Sequence, residues 1–169
     1  YAVASVISVL YAPIAHRLGL YSMKTEMEDL SLKFLESNVY RNIAQKLEES
    51  KDSRNKYIEE FISPIQTELT RNKIKREIKG RPKSIYSIWN KMTTQQVEFE
   101  EVYDKFAIRV IIDTLPENEK NDCWRAYSII TDQYKPNPLR LRDWISSPKS
   151  TGYESLHTTV IGPGEKWIE

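Results

Sequence analysis

Near Lys73 the spacing of apolar residues changes from three-and-four to two, so no single kind of element can serve both halves of the chain. Upstream, Met23, Met27, Leu30 and Phe34 fall on one face of a helix, and Val39, Ile43 and Leu47 repeat the pattern. The opening run "AVASVISVLYAPIAHRLG" reads as helix, kinked or divided at Pro13 and closed by Gly19. Residues 48–72 read as a charged amphipathic helix with Pro64 inside it, a connector. Downstream, Ile74, Arg76 and Ile78 share one face of a strand, while Lys75, Glu77 and Lys79 share the other, wet face. Gly80 reads as a break, and Pro82 suits the first turn of a helix bearing Ile85, Ile88, Trp89 and Met92. In "DKFAIRVIID" β-branched residues alternate, which makes it the strongest strand. "CWRAYSIITDQY" reads as a helix, and "SLHTTVIGP" and "KWIE" as two strands joined by Gly162, Pro163 and Gly164. The order after residue 73 is β-α-β-α-β-β. The fold class is α+β: a helical N-terminal segment, then a mixed sheet with flanking helices.

Composition narrows the function classes. At 40% hydrophobic and 29% charged residues, the chain is an ordinary globular protein. No apolar run reaches membrane-spanning length, and the opening lacks a signal peptide's basic region. Tyr1 begins an already apolar run, so the chain reads as the continuation of something upstream. The lone Cys123 excludes an internal disulfide and a Cys-rich zinc site; it reads as a small buried hydrophobe and fits a cytoplasmic location. Charge is uneven. Residues 71–91 hold Arg71, Lys73, Lys75, Arg76, Lys79, Arg81, Lys83 and Lys91 against Glu77 alone, while residues 93–122 are acidic. A basic block in a chain of net charge +1 points to a phosphate-bearing ligand; the plainer reading is a solvated face.

Four constellations could carry chemistry. Arg81, Lys83 and Lys91, with the hydroxyls of Ser84 and Ser87, surround a turn and a helix start, where backbone N–H groups and Arg forks gather phosphates. Asp104 stands at the mouth of the apolar strand, and Glu169 closes "KWIE"; two such carboxylates can hold Mg²⁺. Each alone reads more plainly as a solvated acid. Arg140, Arg142 and Lys149 lie in a Pro- and Ser-rich loop with Asp143. Gly152 lets the backbone present Tyr153 to a planar base, and His157 can meet a phosphate, although packing and structural roles are commoner for both types. His16 reads as structural.

In this order, "GRPKSIYSIW", "YDKFAIRVI", "RLRDWISSPKSTGYESLHTTVIGP" and "KWIE" resemble the synthetase domain of the RelA/SpoT-homologue (p)ppGpp synthetases. "LYAPIAHRLGL" and "EMEDLSLKFLE" resemble the last helices of the hydrolase domain that precedes it in long, bifunctional-type members. The resemblance implies hydrolase-domain helices over 1–50, a helical connector over 51–72 and a synthetase domain of nucleotidyltransferase-like fold over 73–169, shortened at its C-terminus. It implies transfer of pyrophosphate from ATP to the 3′-hydroxyl of GDP or GTP, with Mg²⁺, in the cytoplasm during the stringent response. Carried over, Asp104 and Glu169 are the catalytic and metal-binding carboxylates, and Tyr153 stacks on guanine. Lys149 and His157 meet acceptor phosphates, and Arg81, Lys83, Ser87 and Lys91 hold ATP. "RLRD" stands where the bifunctional group has R-x-K-D, so Arg140 and Arg142 keep the basic character of that group, although Arg and Lys differ in geometry. The chain has no His-Asp dipeptide, so the hydrolase metal site is not in it. The regulatory C-terminal domains of long members are likewise not in it. Two other classes fit fewer residues: a guanine-nucleotide-binding regulatory fragment without turnover, and an RNA-binding nucleotidyltransferase-type domain. The acidic 93–122 stretch argues against nucleic acid.

Overall fold

The computed structural model describes residues 1–102 and 105–169; Asp104, an expected metal ligand, lies outside the described residues. By contacts the chain forms two compact units, residues 1–51 with 83–105, and 52–82 with 106–169.

The first unit is helical. Helices α1 (Ala2–Val6) and α2 (Ala12–Arg17) are joined by a π-helical stretch, Ile7–Tyr11. The wider turn lets the chain continue helically into Pro13, which has no N–H to give. Gly19, at φ 74°, ends the run as expected. Helix α3 (Tyr21–Leu35) departs from its expected face: Met23, Leu30 and Phe34 are about half exposed or more, and Glu28, Ser31 and Leu32 are buried. The buried residues of α1 and α2 are the alanines Ala4, Ala12 and Ala15. Small residues allow close helix approach, and Lys24 neutralises Glu28 at 2.8 Å. Helix α4 (Ser37–Glu49) buries Ile43, and helix α6 (Ile85–Gln95) buries Ile88 against it, with Val39, Leu47, Trp89 and Met92 around them.

The second unit is built on helix α5 (Lys51–Arg71). The stretch read as a connector supplies the core: Phe61, Ile65 and Leu69 are almost wholly buried. Strand β1 (Arg76–Pro82) pairs antiparallel with β2 (Phe106–Ile112) in the register Gly80↔Ile108. Ile78, Phe106, Ile108, Val110 and Ile112 pack on the α5 stripe. Gly80 therefore does not break the strand. It lies against α5, where an added Cβ would come within 2.8 Å of the Ile58 side chain. Pro82 ends the strand, where no ladder N–H is needed, and does not open the helix. Helix α7 (Glu119–Gln133) adds Ala126, Ile129 and Ile130 to the core. Strands β3 (Arg142–Asp143) and β4 (Leu156–His157) pair, as do β5 (Val160–Ile161) and β6 (Trp167–Ile168). The class is α+β, but each assigned ladder among the described residues is antiparallel and two-stranded, in place of one mixed sheet. The reason is local: strands β3–β6 are two residues each, and β2 meets the end of β6 through the bond from Ile108 N–H to the Glu169 carbonyl at 2.8 Å.

Two contacts give tests. The α6 amides of Ile85 and Tyr86 point to the Asp29 carboxylate, the latter at 2.8 Å, and burial raises the Asp29 pKa. Asp29→Ala should cost about 1 kcal/mol by urea unfolding, the scale of a lost cap. Asp29→Asn keeps the acceptor without the charge and should match or exceed wild type at pH 7. In the second unit the Tyr57 hydroxyl donates to the Pro163 carbonyl at 2.8 Å and the Tyr134 hydroxyl to the Phe61 carbonyl at 3.1 Å. Burial, the largest cause, raises both phenols, Tyr57 to about 12. The fold thus favours the neutral phenols. Their contribution is complete below about pH 10, the ordinary tyrosine value, and is lost as pH rises through the folded values. Melting curves across that window should show the fall, and Tyr57→Phe/Tyr134→Phe should flatten it.

Candidate functional site

Most of the expected acceptor residues converge in the second unit. The chain turns at Lys149–Gly152, where the Gly152 N–H donates to the Lys149 carbonyl at 2.8 Å and the Lys149 N–H to the Tyr153 carbonyl at 3.2 Å. Gly152 stands at φ 74°, and nothing lies within 4 Å of where its Cβ would be, so the demand for glycine is conformational. The turn delivers Tyr153 beside β4. Its hydroxyl lies 2.9 Å from His157 Nε2, and the two rings meet edge to face. On the other side of the imidazole, Nδ1 lies 3.5 Å from Glu169 Oε1. The Glu169 carbonyl is held by the Ile108 amide of β2.

Two cations stand beside this line. Arg142 stands directly opposite His157 in the β3–β4 register, so the two side chains share a face. The Lys149 ammonium lies over the Tyr153 ring at 5.3 Å and over the Trp144 ring at 4.9 Å. A base stacking on Tyr153 must use the face that Lys149 does not cover, or displace it. Arg81 is exposed on β1 opposite Ala107, across β2 from the Ile108–Glu169 bond. Arg140 is exposed on the single turn Pro138–Arg140, which Asn137 caps through the Leu139 N–H. Asp143 has a local task. It accepts from the N–H groups of Ser146 (2.7 Å) and Ile145 (3.0 Å), and these bonds, the Ser146 amide first, hold its pKa below the usual range.

The remaining candidates belong to the first unit. Ser87 and Lys91 are four apart on α6, on one helical face, and Lys83 precedes its cap with its N–H on the Lys105 carbonyl at 2.9 Å. The start of α6 is not an open anion site as expected. Ser84 accepts from the Ser87 N–H at 3.2 Å, and Asp29 takes the amides before it. The chain's own groups satisfy the donors a phosphate would need. Part of the basic block is also spent internally. Arg76 donates to the Gln66 carbonyl and Thr70 hydroxyl of α5, Arg71 pairs with Glu68, and Lys79 with Glu77. Three of the block's eight cations are thus engaged within the chain.

Sequence reading passed over Trp144 and Asp29. The first carried a usable signal, an aromatic residue inside the basic loop; the second carried none, because its partner is 57 residues away. A polar depression of about 280 Å³ lined by Glu68, Arg125 and Asp132 shares no residue with the Tyr153 line. Among the described residues no three His, Cys, Asp or Glu side chains form a metal cage.

A family signature described as "Region found in RelA / SpoT proteins" matches residues 80–169. The chain belongs to the RelA/SpoT family. Over 160 residues it is 39% identical to the GTP pyrophosphokinase of Escherichia coli K12, covering 95% of this chain and 21% of that protein. It is 41% identical over 162 residues to the GTP pyrophosphokinase of Haemophilus influenzae, covering 96% of this chain and 21% of that protein. It is 42% identical over 161 residues to a Synechocystis protein named probable guanosine-3′,5′-bis(diphosphate) 3′-pyrophosphohydrolase, covering 95% of this chain and 20% of that protein. The chain thus spans about a fifth of the length of these relatives. RelA/SpoT membership accounts for the order of the four motifs, and the matched region holds Arg81, Arg142, Lys149, Tyr153, His157 and Glu169.

Because the strain at Gly152 is in its backbone and not in its surroundings, Gly152→Ala should cost about 1–2 kcal/mol in stability. Gly152→Asn should cost less, since Asn tolerates positive φ. Chemical denaturation of the two variants separates the outcomes.

Proposed function

We propose that this chain carries the synthetase part of a (p)ppGpp synthetase, acting in the cytoplasm in the stringent response. The reaction moves pyrophosphate from ATP to the ribose 3′-hydroxyl of GDP or GTP. One observation supports it above the others: Tyr153, His157 and Glu169 stand in line in a RelA/SpoT chain, with Arg142 and Lys149 beside them. A stacking ring, cations for phosphates and a carboxylate are what an acceptor nucleotide requires.

In this reading Tyr153 stacks on the guanine, and Arg142 and Lys149 draw the acceptor phosphates. Arg140 adds charge at the rim, and Arg81, Lys83, Ser87 and Lys91 take ATP. Glu169 receives the 3′-hydroxyl proton, which raises the nucleophilicity of a weak nucleophile. The donor set suits Mg²⁺: Asp104 and Glu169 offer hard oxygens, and Mg²⁺ commonly takes one or two carboxylates and fills its shell with water and phosphate oxygens. When bound, Mg²⁺ would neutralise charge on the phosphates.

The test uses the protein extended beyond Glu169, supplied with ATP, GDP and Mg²⁺, with ppGpp as the readout. Wild type should form ppGpp. Asp104→Ala and Glu169→Gln should each lower the rate about 10²–10³-fold, as loss of one charge-stabilising group does. Full-rate synthesis by Asp104→Ala would remove the metal assignment.

A further inference from the structure

We infer that His157 is a positioning residue that ties the acceptor's base site to the carboxylate that activates its hydroxyl. The inference rests on the acceptor-site reading above and adds a task to His157 beyond any contact with phosphate. The two ends of the line differ in support. Glu169 is anchored through its backbone to β2 by the Ile108 amide at 2.8 Å, and His157 belongs to β4, paired with β3. Tyr153 stands outside every strand, just past the Gly152 turn. Its ring direction is therefore set by side-chain contacts, and one of these joins its hydroxyl to His157 Nε2 at 2.9 Å.

The tautomer follows from the other neighbour. A carboxylate oxygen 3.5 Å from Nδ1 favours the proton on Nδ1, which leaves Nε2 a lone pair to accept the Tyr153 O–H. The polarity of the line then runs one way: the tyrosine hydroxyl donates to the imidazole, and the imidazole N–H faces the carboxylate. Holding the phenol fixed lowers the ordering cost of stacking a base on it. The same imidazole limits where the Glu169 carboxylate turns, so base recognition and hydroxyl activation share one mechanical element.

A double-mutant cycle in the full-length protein tests this. Tyr153→Phe removes only the hydroxyl, and His157→Ala removes its acceptor. Each should raise KM for GDP about three- to tenfold, the scale of one neutral hydrogen bond, with KM for ATP unchanged. The double variant should be no worse than the poorer single one. His157→Gln, which can still accept from the phenol, should recover part of the loss. If the two effects multiply, His157 acts independently of Tyr153 and the inference falls. If His157→Ala does not fold, Tyr153→Phe alone decides, and wild-type KM for GDP in that variant overturns the inference. Tyr153→Ala separates the two levels. An unchanged KM for GDP in that variant would overturn the stacking reading itself, whereas a large increase alongside a multiplicative cycle would overturn only the role of His157.

Discussion

One stripe of one helix organises the second unit. Phe61, Ile65 and Leu69 of α5 are each exposed by 2% or less, and they meet the core side of β2, the α7 face and the β5–β6 hairpin. Side chains of this size contribute about 1.5–3 kcal/mol each when fully buried. The stripe also fixes geometry. Tyr134 stacks on Phe61 with ring centres 4.4 Å apart, and Tyr57 reaches from α5 to the Pro163 carbonyl at the hairpin turn. Val160 and Ile168 hold the hairpin in the core, which brings the chain to Glu169 beside β2. A change in the α5 stripe would therefore reach the acidic end of the Tyr153 line without touching it.

The candidate site is held more lightly. Strands β3 and β4 are two residues long, and the loop between them owes its shape to Asp143, which accepts two backbone bonds, and to the turn at Gly152. Polar contacts and one left-handed residue maintain it, with the core at a distance. This division is common where ligands bind: a rigid scaffold carries a segment that is free to adjust. The Lys149 ammonium over two rings fits the pattern, since a cation–π contact at a partly buried position is worth only about 1–2 kcal/mol.

What the sequence disclosed depended on how local the signal was. β2 was legible because Phe106, Ile108, Val110 and Ile112 alternate within seven residues, and α4 because Val39, Ile43 and Leu47 repeat. Gly80 was misread because its meaning lies in Ile58, on another element. The α3 face was misread because small residues on neighbouring helices, not the apolar stripe of α3 itself, decided which side was buried. The candidate residues Tyr153, His157 and Glu169 were named from motifs. Their arrangement in line was not legible, since it depends on the β2–Glu169 bond and the β3–β4 register.

The cap at the start of α6 has a consequence for any anion drawn to that region. With Asp29 and Ser84 on the first amides, the partial positive charge of the helix end is already quenched from within. An incoming phosphate there would meet long, flexible ammonium arms, such as those of Lys83 and Lys91, in place of backbone donors. Such recognition acts at a distance and tolerates imprecise fit, but mobile ions blunt it readily, so affinity would track the ionic strength of the surroundings more closely than in a backbone-lined cradle.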